Sequence, residues 1–169
     1  MKTKFEKKLE IVKEEAIKEN IPIIMDETLE KIKETLKELN KTTINKILEI
    51  GTATGYSALC FSMLLTEDGE IDTIERDEKR IAKAKENIKI IEGNKKINIY
   101  EGDAVEILKK LNKRYDIIFI DAAKSKYPIF LKESLRMLEQ NGLIFADNVL
   151  YKGYVMSDYN KHKQRTAVT

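Results

Sequence analysis

The spacing of hydrophobic residues changes at about residue 46. Before that point, apolar side chains recur every three or four positions, which is the period of one face of a helix. These positions are Phe5, Leu9, Val12 and Ala16, and then, after a break at Ile21 and Pro22, Leu29, Ile32, Leu36 and Leu39. The pattern predicts two helices within residues 1–40, the second with Asp26 as its N-cap. Their apolar face would either cover the rest of the fold or contact a second copy.

From Lys46 onwards, short apolar runs alternate with stretches of helical period. The predicted strands are residues 46–50, 70–75, 97–100, 115–121 and 143–147. The predicted helices between them are residues 56–65, 77–92, 103–111, and one with Pro128 in its first turn that ends at Asn141 and Gly142. Alternating strands and helices predict an α/β fold, with a Rossmann-like, doubly wound and mainly parallel sheet.

The bulk properties indicate one globular domain. The chain has 169 residues, of which 42% are hydrophobic and 36% charged, and its net charge of +2 neither requires nor excludes a nucleic-acid partner. Within this domain, residues 1–40 form the helical start, 46–150 the core and 151–169 a C-terminal segment. No apolar signal region or membrane span is present, so we expect a cytoplasmic protein without membrane contact. The single cysteine, Cys60, is expected to be a small core residue.

The first predicted strand runs into a turn that contains Gly51 and Gly55. Such a turn is either a tight strand-to-helix connection or a site where the backbone approaches a ligand closely. Ala53 and Tyr56 replace the second and third glycines of the dinucleotide motif, and the lysine of a triphosphate loop is missing. Glu75, at the end of the second strand, can accept both hydroxyls of a ribose. These features favour a nucleoside cofactor without a pyrophosphate.

Oxygen-bearing side chains follow the later strands. Asp103 comes after the third strand, as a helix cap or a cofactor contact. Asp121 ends the fourth strand, and Asp147 and Asn148 end the fifth. Two carboxylates and an amide oxygen suit Mg²⁺, although capping and turn roles remain the alternative. Lys124 is either a solvated charge or a general base whose pKa is lowered by neighbouring positive charge.

Taken together, these residues resemble the class I, catechol-type O-methyltransferase family. The resemblance covers residues 21 to about 155. It is carried by the segments LEIGTATGYS (48–57), DAAK (121–124) and ADNVL (146–150), and by Glu75.

The resemblance implies S-adenosylmethionine as the cofactor. Gly51 and Ser57 would hold its methionine end, Glu75 its ribose, and Asp103 and Ala104 would border its adenine. The complete implied cofactor-binding set is Glu49, Gly51, Gly55, Tyr56, Ser57, Glu75, Asp103, Ala104 and Asp121.

The same resemblance implies a metal-assisted methyl transfer. Asp121, Asp147 and Asn148 would bind Mg²⁺ or another hard divalent cation, which would lower the pKa of an acceptor hydroxyl that lies next to a second oxygen. Lys124 would accept the proton, so Lys124 and Asp121 are the predicted catalytic residues. The methyl group would be held in line with the resulting oxyanion.

The acceptor is predicted from residues 147–153. This segment resembles the bacterial branch that methylates 5-hydroxyuridine in the tRNA anticodon to 5-methoxyuridine. A small catechol-like aromatic is the first alternative, since it offers the same pair of adjacent oxygens. The second is a non-catalytic RNA-binding protein with a vestigial methyltransferase fold. Basic residues at 161–165 and in the first helices would contact phosphates or simply face solvent. The family also implies a homodimer.

The end of the sequence departs from the family pattern. Family members continue after the fifth strand with a further helix and two antiparallel edge strands, whereas residues 166–169 read as the beginning of a helix. We therefore expect the edge strands to be missing and the edge of the fifth strand to be exposed. Cofactor binding should then survive better than turnover.

Overall fold

The computed structural model describes residues 1–121, 124–146, 155–157 and 165–168. The helices are α1 (Lys4–Lys18), α2 (Asp26–Glu38), α3 (Tyr56–Ser62), α4 (Glu78–Asn87), α5 (Ala104–Lys110) and α6 (Tyr127–Met137). The strands are β1 (Lys46–Ile50), β2 (Glu70–Glu75), β3 (Lys96–Glu101), β4 (Tyr115–Ile120), β5 (Leu138–Ala146), β6 (Val155–Ser157) and β7 (Arg165–Val168). Single 3₁₀ turns lie at Ile88–Ile90 and Lys124–Lys126. None of the helices in these ranges has the length and apolarity that crossing a bilayer requires.

The strands form one sheet in the order β3-β2-β1-β4-β5-β7-β6. Neighbours from β3 to β5 are all parallel, as the alternation of strands and helices predicted. β1 lies in the middle and pairs with β2 on one side and β4 on the other. The chain therefore reverses its direction of winding at β1, and the carboxyl ends of β1 and β4 meet where ligands bind in doubly wound sheets. The predicted Rossmann-like fold is confirmed.

Apolar side chains cover both faces of the sheet. On one face, Ile47 and Phe119 pack with the buried sides of α1, α2 and α3, and the rings of Phe61 and Phe119 are centred 5.0 Å apart. On the other face, Leu48 packs with Leu108 of α5 and with α6. Each fully buried side chain of this kind contributes about 2 kcal/mol. The apolar stripes of α1 and α2 thus cover the sheet, which was one of their two predicted roles.

Several helix boundaries differ from the prediction. α3 ends at Ser62 and α4 at Asn87, both earlier than predicted. α6 ends at Met137, because Leu138 is buried and pairs with the first residue of β4. Asn141 therefore lies within β5, where it adopts a positive φ of 66°, and does not end the helix. α2 begins at Asp26 with Met25 as its N-cap, and this cap makes no side-chain hydrogen bond. The end of α6 thus depends on a strand pairing that the local sequence pattern does not contain.

The prediction of missing edge strands is wrong. β7 pairs in parallel with Leu143–Ala146 of β5, and β6 pairs antiparallel with β7. The N–H and C=O groups on this side of β5 thus gain partners, which removes the unpaired edge that the sequence suggested. Thr166 and Val168 are β-branched and favour strand over helix, a preference that the helical interpretation of this segment overlooked.

A buried polar cluster joins β2 to the beginning of β4. Asp72 is completely buried and accepts hydrogen bonds from Asn98 Nδ2 at 2.8 Å, Lys113 Nζ at 2.9 Å and the Tyr115 hydroxyl at 2.7 Å. Burial, and then the hydrogen bond to Asp72, raises the pKa of Tyr115 well above its usual value. A buried carboxylate is tolerated only when it is paired in this way.

Replacing Tyr115 by Phe should therefore destabilise the fold. The change leaves Asp72 short of one donor in a water-free environment, which costs about 1–3 kcal/mol. Urea denaturation measures this loss. Lys13→Ala is the control, because its ion pair with Asp26 at 3.1 Å is exposed and is worth about 0–1 kcal/mol. Equal losses for the two variants would show that the Asp72 cluster does not stabilise the sheet.

Candidate functional site

The turn after β1 is held against two neighbouring strands. The N–H groups of Gly51 and Thr52 both donate to the Ile74 carbonyl, at 3.0 and 3.1 Å, and the N–H of Asp121 donates to Ile50 at 3.0 Å. Gly51 has a φ of +102°, and a Cβ at this position would lie 2.3 Å from the carbonyl oxygen of Asp121. The turn can therefore approach the end of β4 this closely only with glycine at position 51.

A second contact fixes the turn to α4. Gly55 precedes α3 in the left-handed conformation with a φ of +86°, and a Cβ there would lie 3.6 Å from Ala84. The buried Asn87 donates from Nδ2 to the Thr54 carbonyl at 2.8 Å. Sequence analysis missed Asn87, since nothing in the pattern of α4 distinguishes it from a solvent-facing amide. The turn is thus held by β2 and the end of β4 at Gly51 and Thr52, and by α4 at Thr54 and Gly55.

Glu75 reaches from the end of β2 to the same turn. Its Oε1 accepts from the N–H of Ala53 at 2.9 Å, and its Oε2 accepts from the N–H groups of Arg76 and Asp77 at 3.0 and 3.3 Å. A carboxylate offers about four acceptor positions, so Glu75 can still bind a hydroxyl group. Its predicted contact with a ribose stays a prediction, and the structure places the side chain beside the glycine-rich turn.

Asp103 has the structural role that the sequence allowed. It is the N-cap of α5 and accepts from the N–H of Glu106 at 3.1 Å, and Ala104 begins the helix. Both residues follow β3, at the same edge of the sheet as Glu75. The cap is confirmed, whereas the contact of Asp103 and Ala104 with an adenine stays a prediction.

Glu49 lies at the centre of a buried hydroxyl network. Its side chain is 0% exposed, Ser57 Oγ donates to its Oε2, and Thr73 Oγ1 donates to its Oε1 at 2.7 Å. The hydroxyls of Thr52 and Thr73 are also hydrogen-bonded to each other. Sequence analysis missed both threonines. Thr73 could have been noticed in the sequence, because it is a polar residue in the middle of a strand that is buried on both faces.

The ionisation of Glu49 is strongly perturbed. Burial raises the pKa of Glu49 to about 8, and the hydrogen bonds from Ser57 and Thr73 lower it only in part. The negative charges of Asp121 and Glu75 raise it further. Glu49 is therefore largely a neutral acid at pH 7 in the free protein.

Tyr56 and Cys60 lie on the buried side of α3. Burial, and then the neighbouring Cys60 thiol, raises the pKa of Tyr56 above its usual value. Burial also raises the pKa of Cys60 to about 12, so the thiol is not a nucleophile. Cys60 is the core residue that the sequence predicted.

A narrow cleft opens between the turn and the segment that precedes α2. Its walls are formed by residues 22–24, 51–54, 56 and 57, and by Asp121. It contains four of the predicted cofactor-binding residues, Gly51, Tyr56, Ser57 and Asp121. Glu49 lies behind its wall, and Glu75 contacts the turn at Ala53. Of the described residues that line the cleft, Asp121 alone is charged.

The predicted metal site is only partly within the described residues. Asp121 follows β4 and is half-buried, whereas Asp147 and Asn148 lie outside the described residues. Lys124 begins the 3₁₀ turn after β4, and its side chain is also outside them. Among the residues that are described, no three His, Cys, Asp or Glu side chains cluster closely enough to hold a metal ion. The metal site and the general base stay predictions.

Comparison with solved structures identifies the class of fold. A Staphylococcus aureus protein determined as a candidate caffeoyl-CoA O-methyltransferase has a TM-score of 0.72 and 38% identity, over 86% of this chain and 68% of that one. An O-methyltransferase from Bacillus cereus, solved in complex with S-adenosylhomocysteine, has a TM-score of 0.68 and 26% identity, over 79% and 62% of the two chains. The fold is that of the class I methyltransferases.

Comparison of the sequence identifies the family within this class of fold. Residues 4–169 match the O-methyltransferase family, and the chain belongs to that family. The catechol O-methyltransferase of Niastella koreensis is 36% identical over 116 residues, which are 66% of this chain and 52% of that protein. O-methyltransferase ankF of Aspergillus thermomutatus is 36% identical over 126 residues, 71% and 53% of the two chains. The chain thus spans about half the length of these two relatives.

Replacing Gly51 by Ala should disrupt the site. The new methyl group would meet the Asp121 carbonyl in a backbone conformation that side chains rarely adopt, so we expect a loss of about 3 kcal/mol or more in unfolding free energy. Gly93→Ala is a matched control, because Gly93 has a φ of +74° but nothing within 4 Å of the added Cβ. It should lose only about 1 kcal/mol in the same denaturation experiment. Similar losses for the two variants would contradict the role of the close contact.

Proposed function

We propose that this protein is an S-adenosylmethionine-dependent O-methyltransferase that acts on a hydroxyl group next to a second oxygen. The observation that carries the proposal is the cleft at the carboxyl ends of β1 and β4, between a glycine-rich turn and an acid. Family membership and the relatives named as O-methyltransferases support it. It agrees with the rule that doubly wound sheets bind ligands where the winding reverses.

The residues around the cleft fit the cofactor. The bare backbone at Gly51 leaves room that a Cβ would fill. Thr54 also lines the cleft, and its hydroxyl is buried with no hydrogen-bond partner among the described residues. A buried hydroxyl without a partner costs about 1–3 kcal/mol, which a polar ligand atom would recover. Gly51, Thr54 and Ser57 would hold the amino-acid end of the cofactor, and Glu75 would hold its ribose.

The charges of the site favour a cationic ligand. Asp121 is the charged residue within the described wall of the cleft, and Glu49 interacts electrostatically with both Asp121 and Glu75. No Lys or Arg belongs to that part of the wall. When bound, S-adenosylmethionine supplies a methyl group on a positively charged sulfur. The attraction between such a charge and a nearby carboxylate is stronger at low dielectric than in water.

A divalent cation completes the proposal. The donor set Asp121, Asp147 and Asn148 consists of oxygens alone, which suits Mg²⁺ and its Lewis-acid activation of a hydroxyl group. Lys124 begins the turn that directly follows β4 and would take the released proton. Asp121 would thus border both the cofactor and the metal, which would bring the acceptor oxygen close to the methyl group.

For the acceptor we propose 5-hydroxyuridine in a tRNA anticodon, with a small catechol-like aromatic as the second candidate. The sequence of residues 147–153 supports the first. The relative named catechol O-methyltransferase favours the second. Both acceptors present two adjacent oxygens, so the same metal would serve either. A homodimer is proposed from the family resemblance alone.

The acceptor is decided by measuring methyl transfer from labelled S-adenosylmethionine in parallel reactions. We expect label in tRNA that contains 5-hydroxyuridine, dependence on added Mg²⁺, and a loss of at least 100-fold in Asp121→Ala, because the metal and cofactor would both lose a ligand. Label in a simple catechol alone would replace the tRNA proposal by the second candidate. Binding of tRNA that Asp121→Ala leaves intact, without any transfer by the wild type, would indicate a non-catalytic RNA-binding protein.

Replacing Thr54 by Val tests the fit of the cofactor. Valine keeps the shape and removes the hydroxyl, so the affinity for S-adenosylhomocysteine, measured by calorimetry, should fall about tenfold. Stability in urea should not fall, because the free protein loses an unsatisfied group. The control is Ser134→Ala, which removes the other buried hydroxyl without a partner in the described part of the chain, on α6 and outside the cleft wall. Equal affinities for both variants would show that Thr54 does not contact the cofactor.

A further inference from the structure

We infer that Glu49 is a positioning residue that acts through Ser57 and Thr52, and that the binding of a cationic ligand group in the cleft releases a proton from Glu49. The inference rests on the proposed function, because the ligand group meant is the ammonium of the cofactor's amino-acid end. The sequence predicted that Glu49 binds the cofactor. In the structure, Glu49 is buried behind the residues that line the cleft.

Glu49 does not reach the cleft itself. Its side chain is completely buried and takes no part in the cleft wall. Both of its oxygens already accept hydrogen bonds, Oε2 from Ser57 and Oε1 from Thr73. Glu49 can therefore be linked to a ligand by hydrogen bonds only through the hydroxyl groups that bind it.

The number of hydrogens on these hydroxyl groups decides which of them can donate to a ligand. A serine or threonine hydroxyl has one hydrogen to donate and two lone pairs that accept. When Glu49 is ionised, Ser57 gives its hydrogen to Glu49, and Thr73 does the same. In the hydrogen bond between Thr52 and Thr73, the donor must then be Thr52. Ser57 and Thr52 both line the cleft, and in this state both can offer only lone pairs to a ligand. A neutral Glu49 would instead give its own hydrogen to one of these hydroxyls, so the acceptor arrangement belongs to the ionised form.

This arrangement selects hydrogen-bond donors, and its charges select cations. The groups that interact with Glu49 are Asp121 at the end of β4, Glu75 at the end of β2, and the neutral Cys60 on α3. Tyr56, also on α3, is neutral, and Asp26 at the beginning of α2 adds a further negative charge near it. Lys33 on α2 is a positive charge that acts on Cys60, but the charges that act on Glu49 itself, Asp121 and Glu75, are both negative. An ammonium that enters the cleft therefore brings a positive charge that would stabilise an ionised Glu49.

Proton release follows from linkage. Burial raises the pKa of Glu49 to about 8 in the free protein, so the group is mostly protonated at pH 7. A cation nearby favours the carboxylate and lowers this pKa, and the proton leaves for the solvent. The affinity for the cation should therefore rise with pH, by up to about tenfold per unit, and level off above pH 8.

The test is calorimetric titration of the protein with S-adenosylhomocysteine at pH 7, in two buffers with different enthalpies of ionisation. The difference in observed heat gives the number of protons released, which we expect to be close to one for the wild type. Glu49→Gln cannot ionise, so it should release none, bind about tenfold more weakly and lose the rise of affinity with pH. The control is Asp72→Asn, which removes another fully buried carboxylate, on β2 but bound to Lys113 and Tyr115, and should release as many protons as the wild type.

Thr73→Val provides a second test that does not depend on the folding of the Gln variant. It removes one hydrogen bond that lowers the pKa of Glu49, so the level region of the pH profile should begin about one pH unit higher. Wild-type binding without proton release, or a Thr73→Val profile identical to the wild type, would overturn the inference alone. Absence of any binding by the wild type would instead overturn the proposed function and the inference with it.

Discussion

The close approach of the Gly51 backbone to the Asp121 carbonyl holds the site together. β1 and β4 are neighbours in the sheet, and their ends can be capped by one turn only if the first residue after β1 has no side chain. The hydrogen bonds from the turn to Ile74 then bind β2 to the same point. Three strand ends are thereby fixed to one another, and the acids that follow them are held around one small volume. Without this contact, the cleft, the hydroxyl network and the carboxylates would have no common geometry.

Two fully buried carboxylates, Glu49 and Asp72, lie within the described part of the sheet, and their surroundings differ. Asp72 is bound by the ammonium of Lys113 as well as by hydroxyl and amide donors, so its charge is compensated within the fold. Glu49 is bound by hydroxyls alone, and the nearest charges are negative. The first arrangement stabilises an anion permanently. The second leaves the anion uncompensated until a cation arrives, which is why Glu49, and not Asp72, is coupled to the cleft.

Elements that depend on neighbouring residues in the sequence were predicted, whereas those that depend on residues far apart in the sequence were not. β1 and β2 were predicted to the residue, because their apolar runs are local and are bounded by turn residues. The end of α6 was not predicted, since it depends on the pairing of Leu138 with a strand more than twenty residues away. The roles of Thr73 and Asn87 could not be predicted either. Each is a single polar residue whose partner, Glu49 or Thr54, comes near it only in the folded sheet.

Discrimination between the two acceptors must come from contacts beyond the reacting oxygens, because both acceptors share the same oxygen pair. A tRNA would bring phosphates, and phosphate binding requires uncompensated cations. Lys2, just before the first helix, pairs with Glu10, Lys13 pairs with Asp26, and Lys33 pairs with Glu30. Such exposed pairs are worth only about 0–1 kcal/mol each, so a phosphate could compete with the acid for the lysine. If tRNA is the acceptor, basic residues of these helices and of segment 161–165 are both able to contact its phosphates.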